Sequence, residues 1–306
     1  MDRRQTAAFE QLAGEGIRFH YPMHRLTTYQ VGGPAEALWE AREIETLKKV
    51  IRYLKIESIP YTILGRGSNL LVKDNGIDGV MILLKASLAK IEKDAQEPRV
   101  WAGGGVHLTD LINWCSRQGL SGLEFLAGIP GTVGGAVVMN AGAFGQEINE
   151  KISAIRFVTP EGTKVEMKRS ELKFSYRRLH GNTGRVVANT CFRLKEDTPE
   201  AVTKKTGGFL KTRKKTQPLK YPSAGSVFKN PHGAPSSMGA GKLIEKAGLK
   251  GKRIGGAMVS EEHANWIVNT GGATAKDILS LMDLVRAEVK RMTGIHLEPE
   301  IRILGK

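Results

Sequence analysis

Residues 122–145, GLEFLAGIPGTVGGAVVMNAGAFG, place glycine at seven of twenty-four positions and a charge at only one, in a chain that is otherwise strongly basic. Glycine loses more conformational freedom on ordering than any other residue. A dense run is therefore kept where φ must be positive or where a main chain approaches another group with no Cβ in between. Such a run fits two arrangements: a backbone laid against a ligand, or a set of tight turns beneath a packed sheet.

The chain of 306 residues is long enough for two domains, or for one large domain with an appendage. Its 41% hydrophobic and 25% charged residues are ordinary globular values and exclude a disordered tail or a fibre. The first residues, MDRRQTAAFEQLAGEG, contain no apolar signal core, and no apolar run approaches the roughly 18 residues of a membrane span. A cytoplasmic protein with no membrane partner is expected. Cys115 and Cys191 form neither a CxxC pair nor a disulfide framework, so both are expected to be reduced and half-buried. The net charge of +15 suits a polyanion, whether nucleic acid, a membrane surface or a small phosphorylated molecule. Residues 201–220 hold seven Lys or Arg and no acid, which reads equally as a surface for such a partner or as a solvated helix face or linker. Aromatic residues make up only 6% and none interleave with the basic run, so a stacking platform is poorly supported and no nucleic-acid partner is expected.

Residues 43–57 (EIETLKKVIRYLKIE) set Ile44, Leu47, Val50, Ile51 and Leu54 at helical spacing and run into a short buried strand, IPYTIL. GVMILL (79–84) and RVWA (99–102) read as further strands, and residues 108–118 as a helix capped by Thr109 and stopped by Gly119. Residues 152–168 alternate apolar and polar side chains about Pro160-Glu161-Gly162, a hairpin that residues 186–195 would close. After Glu196 the texture turns polar and rich in breakers, so a domain boundary is placed near residue 200. Beyond it the pattern predicts a helix over 275–292, with Thr274 and Asp277 at its start, Ile278, Leu281, Val285 and Val289 on one face, and Gly294 at its end. A last strand over 298–304 would put Glu298, Glu300 and Arg302 on one face.

Several residues suit chemistry. Gly65, Gly67 and Ser68 offer successive N–H groups and a hydroxyl beside Arg66, a phosphate cradle, although a glycine turn between strands has the same sequence. The dinucleotide motif of a Rossmann fold fails on context, because neither glycine segment is expected to open a helix in a strand–turn–helix unit. Ser226, in AGSVFKNP, is followed by Lys229 and Asn230, a set suited to an anionic sugar or nucleotide, and has no nucleophile elbow around it. Arg177, in FSYRR, can clamp a carboxylate or form a surface pair with Arg178. The seven histidines make no metal spacing, Glu261-Glu262-His263 included, and no metal is expected.

Taken in order, TTYQVGGPAE, ILGRGSNLLV, GLEFLAGIPGTVGGAVVMNAGAFG, FSYR, AGSVFKNP, AGKLIEKAGLKG, SEEHANWIVN and LEPEIR span nearly the whole chain, and together they resemble the UDP-N-acetylenolpyruvoylglucosamine reductases. The resemblance implies an α+β fold with an FAD-binding domain of the vanillyl-alcohol-oxidase type over residues 1–200, in two α/β subdomains of about 1–85 and 86–200. A substrate-binding α+β domain follows over 201–306. It implies an NADPH-dependent flavoenzyme of peptidoglycan synthesis whose partner is a small molecule, a UDP-sugar with an enolpyruvyl ether. Gly65, Arg66, Gly67, Ser68, Asn69 and Leu70, with Gly128, Ile129, Pro130, Gly131, Thr132, Gly134 and Gly135, would line the FAD pyrophosphate and flavin, and Asn140, Ala141, Gly142 and Ala143 would continue the contact. The catalytic arginine, serine and glutamate fall on Arg177, Ser226 and Glu300. Arg213, Lys229, Asn230 and His263 would face the UDP-sugar, His263 standing where some members carry glutamine. The short stretch between Arg177 and Ser226 lacks the tyrosine loop of the longer class and places the chain in the shorter one, with the basic residues 211–215 a candidate to meet the diphosphate.

Overall fold

The helix-into-strand periods of the first two hundred residues build two sheets. The computed structural model describes residues 1–94, 98–231 and 238–306, which form two compact units. Unit 1 comprises Met1–Phe19, Ala37–Gly65 and Gly79–Thr212; unit 2 comprises His20–Glu36, Arg66–Asp78 and Arg213–Lys306.

Unit 1 opens with helix α1 (Arg3–Ala13), and helix α2 (Ile44–Ile56) follows. Its four-stranded sheet has the order Ile17–Pro22, Pro34–Ala41, Ile77–Leu84, Tyr61–Leu64, with the last two strands parallel. Leu47, Val50, Ile51 and Leu54 of α2 are buried with Trp39, Val80 and Ile82, as their spacing predicts. The second sheet is antiparallel throughout, in the order Lys164–Lys168, Ile152–Val158, Val186–Arg193, Arg99–Gly103, Ile91–Lys93. The hairpin about residues 160–162 forms as expected, and Val186–Arg193 lies in the middle of this sheet. Six of its eight residues are buried, so both faces of that strand are covered. Helix α3 (Leu108–Arg117) packs here, and its N-cap is His107; Thr109 sits inside the first turn. A short helix, α4 (Val133–Val138), was not expected: Thr132 caps it and accepts from the Gly135 N–H at 3.4 Å, so the second glycine segment does open a helix. Helix α5 (Pro199–Thr216) carries the basic run.

Unit 2 packs helix α6 (Ala240–Lys246) and helix α7 (Ala275–Thr293) around one core with a three-stranded antiparallel sheet, Arg253–Ile254, Ala257–Val259 and Ile267–Asn269. Thr274 and Asp277 cap α7 reciprocally, and Gly294 closes it in the left-handed conformation, as the sequence predicts. The Asp74 carboxylate adds a cap that the local pattern did not contain, accepting the N–H groups of Ala275 (2.8 Å) and Lys276 (3.0 Å). The last strand is shorter than expected, Arg302–Leu304, paired in parallel with Leu70–Val72. Residues 298–301 are held by other means, described below.

Cys115 and Cys191 are free and fully buried, and burial pushes the Cys115 thiol up to about 12 and raises that of Cys191 as well. Both therefore stay protonated and inaccessible in mildly alkaline buffer. A thiol reagent should find neither cysteine in native protein and both after denaturation; fast labelling of the native state would contradict this packing.

Candidate active site

In unit 1 the strand Tyr61–Leu64 delivers Gly65 against Thr132, whose Oγ1 would stand 2.8 Å from any Cβ added there. The two glycine-rich segments thus meet at a residue that has no side chain. Behind this junction, Gly134 N–H donates to the Gly104 carbonyl (2.9 Å), Val133 N–H to Val106 (2.8 Å), and Leu108 N–H to Gly131 (3.0 Å). A Cβ on Gly134 would lie 3.0 Å from the Gly104 carbonyl oxygen, so this glycine is required by the protein's own backbone. The opposite side is open: Gly128, Pro130 and Gly135 are exposed, while Ile129 and Gly131 are half-buried. At Gly135 an added Cβ meets only Thr132 Oγ1, at 3.4 Å. A loop backed by hydrogen bonds, with two glycines and only one exposed side chain, Pro130, on its outer side, is a surface that a planar or phosphorylated ligand can approach closely.

Arg177 occupies the tip of a two-residue hairpin, Phe174–Ser175 with Arg178–Leu179, and has a φ of 58°, which a side chain makes costly by roughly 1 kcal/mol. Its guanidinium lies 4.6 Å from the Tyr176 ring centroid, and a Cβ on Gly142 would come within 3.2 Å of Arg177 Nη1. The nearest atom to that Cβ would be the Gln146 carbonyl oxygen, at 2.8 Å, so the missing side chain leaves room first for this backbone and then for the guanidinium. Asn140, in the same segment, is fully buried. Its Nδ2 donates to the Ser175 carbonyl (3.0 Å) and to Glu147 Oε2 (2.7 Å), while its Oδ1 accepts from Asn149 Nδ2 (2.9 Å). Arg169 Nη2 in turn donates to Asn149 Oδ1 at 2.8 Å. The Asn140 side chain thus faces the interior and anchors the hairpin that presents Arg177; Ala141, Gly142 and Ala143 beside it are half-buried.

In unit 2, Arg66 is exposed at the head of a loop whose Gly67, at φ +61°, lies against the Leu26 carbonyl and accepts from Thr28 N–H at 3.2 Å. Ser68 follows half-buried, and Asn69 bonds the last segment of the chain: its Nδ2 donates to the Glu300 carbonyl (3.2 Å) and its own carbonyl accepts Arg302 N–H (2.9 Å). Leu70 starts the paired strand. Glu300 N–H donates to the Val227 carbonyl (2.7 Å), Lys229 N–H to Glu298 (2.9 Å), and Phe228 bridges Pro299. Residues 227–229 and 298–300 are thereby joined antiparallel, with Val227 opposite Glu300 and Ser226 one residue before that pair. Both residues are half-buried.

Lys229 Nζ pairs with Glu298 Oε2 at 3.1 Å, and Asn230 Oδ1 accepts Ala240 N–H at 3.0 Å. His263 Nδ1 accepts the Asn265 N–H at 3.2 Å, which requires the ring proton on Nε2, and burial lowers its pKa so that the ring is neutral near pH 7. Arg213 lies apart from these contacts on α5, where Nη1 donates to Gln217 Oε1 at 3.4 Å. Asn149, Glu147, Arg169 and Asn265 escaped the sequence reading, because none stands in a motif and each acts on a peptide group or side chain brought close only by the fold. Among the described residues no group of three or more His, Cys, Asp or Glu is placed to hold a metal, and no helix is long and apolar enough to cross a membrane.

Replacing Asn140 by alanine leaves the Ser175 carbonyl and the Asn149 amide without their buried partner. We expect a loss of about 1–3 kcal/mol in urea unfolding. A change within experimental scatter would mean that water replaces the amide.

Residues 35–168 match the family model of an FAD binding domain, and residues 217–304 that of the C-terminal domain of UDP-N-acetylenolpyruvoylglucosamine reductase. The reductase of that name from Bacillus velezensis is 43% identical over 286 residues, which cover 93% of this chain and 92% of the relative. UDP-N-acetylenolpyruvoylglucosamine reductase 2 from Symbiobacterium thermophilum is 44% identical over 291 residues, 94% of this chain and 92% of the relative. The crystal structure of the reductase from Thermus caldophilus superposes with a TM-score of 0.78 at 38% identity, covering 94% of this chain and 98% of that one. These matches bear out the α+β flavoprotein fold and the FAD-binding domain expected from the motifs. Identity above 40% over more than nine tenths of its length means that the chain belongs to the UDP-N-acetylenolpyruvoylglucosamine reductase family.

Proposed function

We propose that this protein reduces the enolpyruvyl group of UDP-N-acetylglucosamine enolpyruvate to the lactyl ether of UDP-N-acetylmuramate, using NADPH and FAD, as a cytoplasmic step of peptidoglycan synthesis. The observation that carries the proposal is the near full-length identity to reductases of that name. Its partner is then a small UDP-sugar and not nucleic acid, and the positive charge serves to attract a diphosphate and a carboxylate.

FAD fits the residues present. The junction of Gly65 with Thr132 and the exposed glycines Gly128 and Gly135 form a surface with few side chains, backed by the bonds to Gly104 and Val106. These residues would hold FAD, which would supply the hydride chemistry between NADPH and the enolpyruvyl methylene carbon. Negative charge then builds on the adjacent carbon and its carboxylate. Arg177, whose guanidinium Gly142 leaves unobstructed, holds that carboxylate through charge-assisted hydrogen bonds. Ser226 gives its hydroxyl proton to the carbon, so that one hydride and one proton are added across the double bond. Glu300 assists when protonated, as a hydrogen-bond donor to the developing charge. Arg213, Lys229 and Asn230 contact the UDP-sugar, and the neutral His263 offers its Nε2–H as a donor in the manner of an amide.

Two experiments test these assignments. Ser226→Ala should leave flavin reduction by NADPH intact in stopped flow and slow reoxidation by the enolpyruvyl sugar about 10² to 10⁴-fold; equal loss in both half-reactions would refute a proton-donor role. Gly135→Ala has room and a helical position that favours alanine, so the apoprotein should be as stable as the parent or more so, by up to about 1 kcal/mol. Its flavin-to-protein absorbance ratio should nevertheless fall. Gly134→Ala, crowding Gly104, should instead destabilise the apoprotein itself by about 1–3 kcal/mol. A Gly135→Ala protein that keeps its full complement of FAD would remove this loop from the cofactor site.

A further inference from the structure

The backbone that follows Ser226 is fixed at four successive polar groups, and three of the four bonds come from one residue. Val227 N–H donates to the Asn265 carbonyl at 2.8 Å. Phe228 N–H donates to Asn265 Oδ1 at 3.0 Å, and the Phe228 carbonyl accepts from Asn265 Nδ2 at 2.8 Å. The remaining group, the Val227 carbonyl, accepts Glu300 N–H. Asn265 is 4% exposed, so its amide has no competing water. An amide that bonds both sides of one residue fixes that residue's position and orientation, as a strand neighbour would. The peptide joining Ser226 to Val227 is thereby pinned, which fixes the position of the Ser226 Cα and leaves its hydroxyl only the rotations about ψ and χ1 of that one residue. Asn265 in turn is oriented by His263, whose Nδ1 accepts its N–H, and His263 is braced by Gly241, where a Cβ would stand 3.1 Å from the ring.

We propose that Asn265 is a positioning residue for the reduction: it holds the Val227–Phe228 backbone so that the Ser226 hydroxyl stays aimed at the carbon it protonates. The proposal rests on the role given to Ser226 above. It follows from the chemistry of the donor, because a hydroxyl is a weak acid and transfers a proton only across a short, aligned gap. A misplacement of the order of 1 Å costs about 10²-fold.

The test is a double-mutant cycle on the FAD-loaded enzyme, with each half-reaction followed by stopped flow. Asn265→Ala alone should slow flavin reoxidation by the enolpyruvyl sugar about 10 to 10²-fold and leave flavin reduction by NADPH unchanged. In a Ser226→Ala background the same substitution should add almost nothing, since no hydroxyl is left to aim. A merely structural residue would slow both half-reactions, or would add its full effect in either background, and either result overturns the proposal. Should Asn265→Ala fail to fold, Asn265→Asp keeps the acceptor for Phe228 N–H and removes the donor to its carbonyl. A smaller loss confined to reoxidation, again absent without Ser226, is expected; loss in both halves rejects the idea. Parent enzyme that never passes electrons to the enolpyruvyl sugar would instead reject the proposed function itself, so the two failures are distinguishable.

Discussion

A side-chain amide carries a double donor and an acceptor in one plane, so it can satisfy peptide groups that no sheet ladder or helix reaches. That interaction recurs behind all three candidate catalytic segments. Asn140 holds the Ser175 carbonyl beneath the Arg177 hairpin, Asn265 holds both sides of Phe228 after Ser226, and Asn69 donates to the carbonyl of Glu300. Each of these segments is irregular or only briefly paired, and irregular backbone leaves polar groups that must find partners once buried. The asparagines supply them. A leucine of similar size would fill the space and strand the peptide.

The glycines of residues 122–145 separate into two groups on the same physical ground. Gly134 and Gly142 are small because the protein itself needs the space, the first for the Gly104 carbonyl and the second for the Gln146 carbonyl, with the Arg177 guanidinium beside it. Gly135 faces solvent with little around it, and no internal contact explains why a helix start should carry so poor a helix former. The absent side chain at Gly134 makes way for packed backbone, while the one at Gly135 leaves the start of the helix open, one residue apart.

Legibility from sequence followed the range of the interactions involved. The helix over α2 and the capped helix α7 were readable because spacing, cap and stop lie within about twenty residues of each other, and the hairpin about residues 160–162 was readable for the same reason. Helix α4 was not, since two adjacent glycines and valines oppose helix by propensity, and its stability comes from bonds to Gly104 and Val106. The strand ending the chain was overcalled: residues 298–301 alternate like a strand, yet Phe228, Val227 and Asn69 hold them as a short bridge. Candidate catalytic residues stood out because they sit in motifs. The amides that hold them did not, for Asn140 acts 35 residues away and Asn265 acts 37 away.

Were Ser226 the proton donor, as proposed, its chemistry would explain why so much of unit 2 converges on so short a segment. An acid whose pKa matched the medium would tolerate a loose position, because its driving force would compensate for some misalignment. A serine hydroxyl has little driving force and depends on geometry. The bonds from Asn265 and Glu300 to residues 227–228, the tie from Asn69 to Glu300 and the bracing of Asn265 by His263 all act to remove freedom from that segment. His263 would have a double part in this scheme: its Nδ1 accepts the Asn265 backbone N–H, and its Nε2 carries the remaining ring proton. On the proposed function, engagement of the sugar by that proton would bear on the residue that holds the segment after Ser226, and so would link substrate binding to proton delivery.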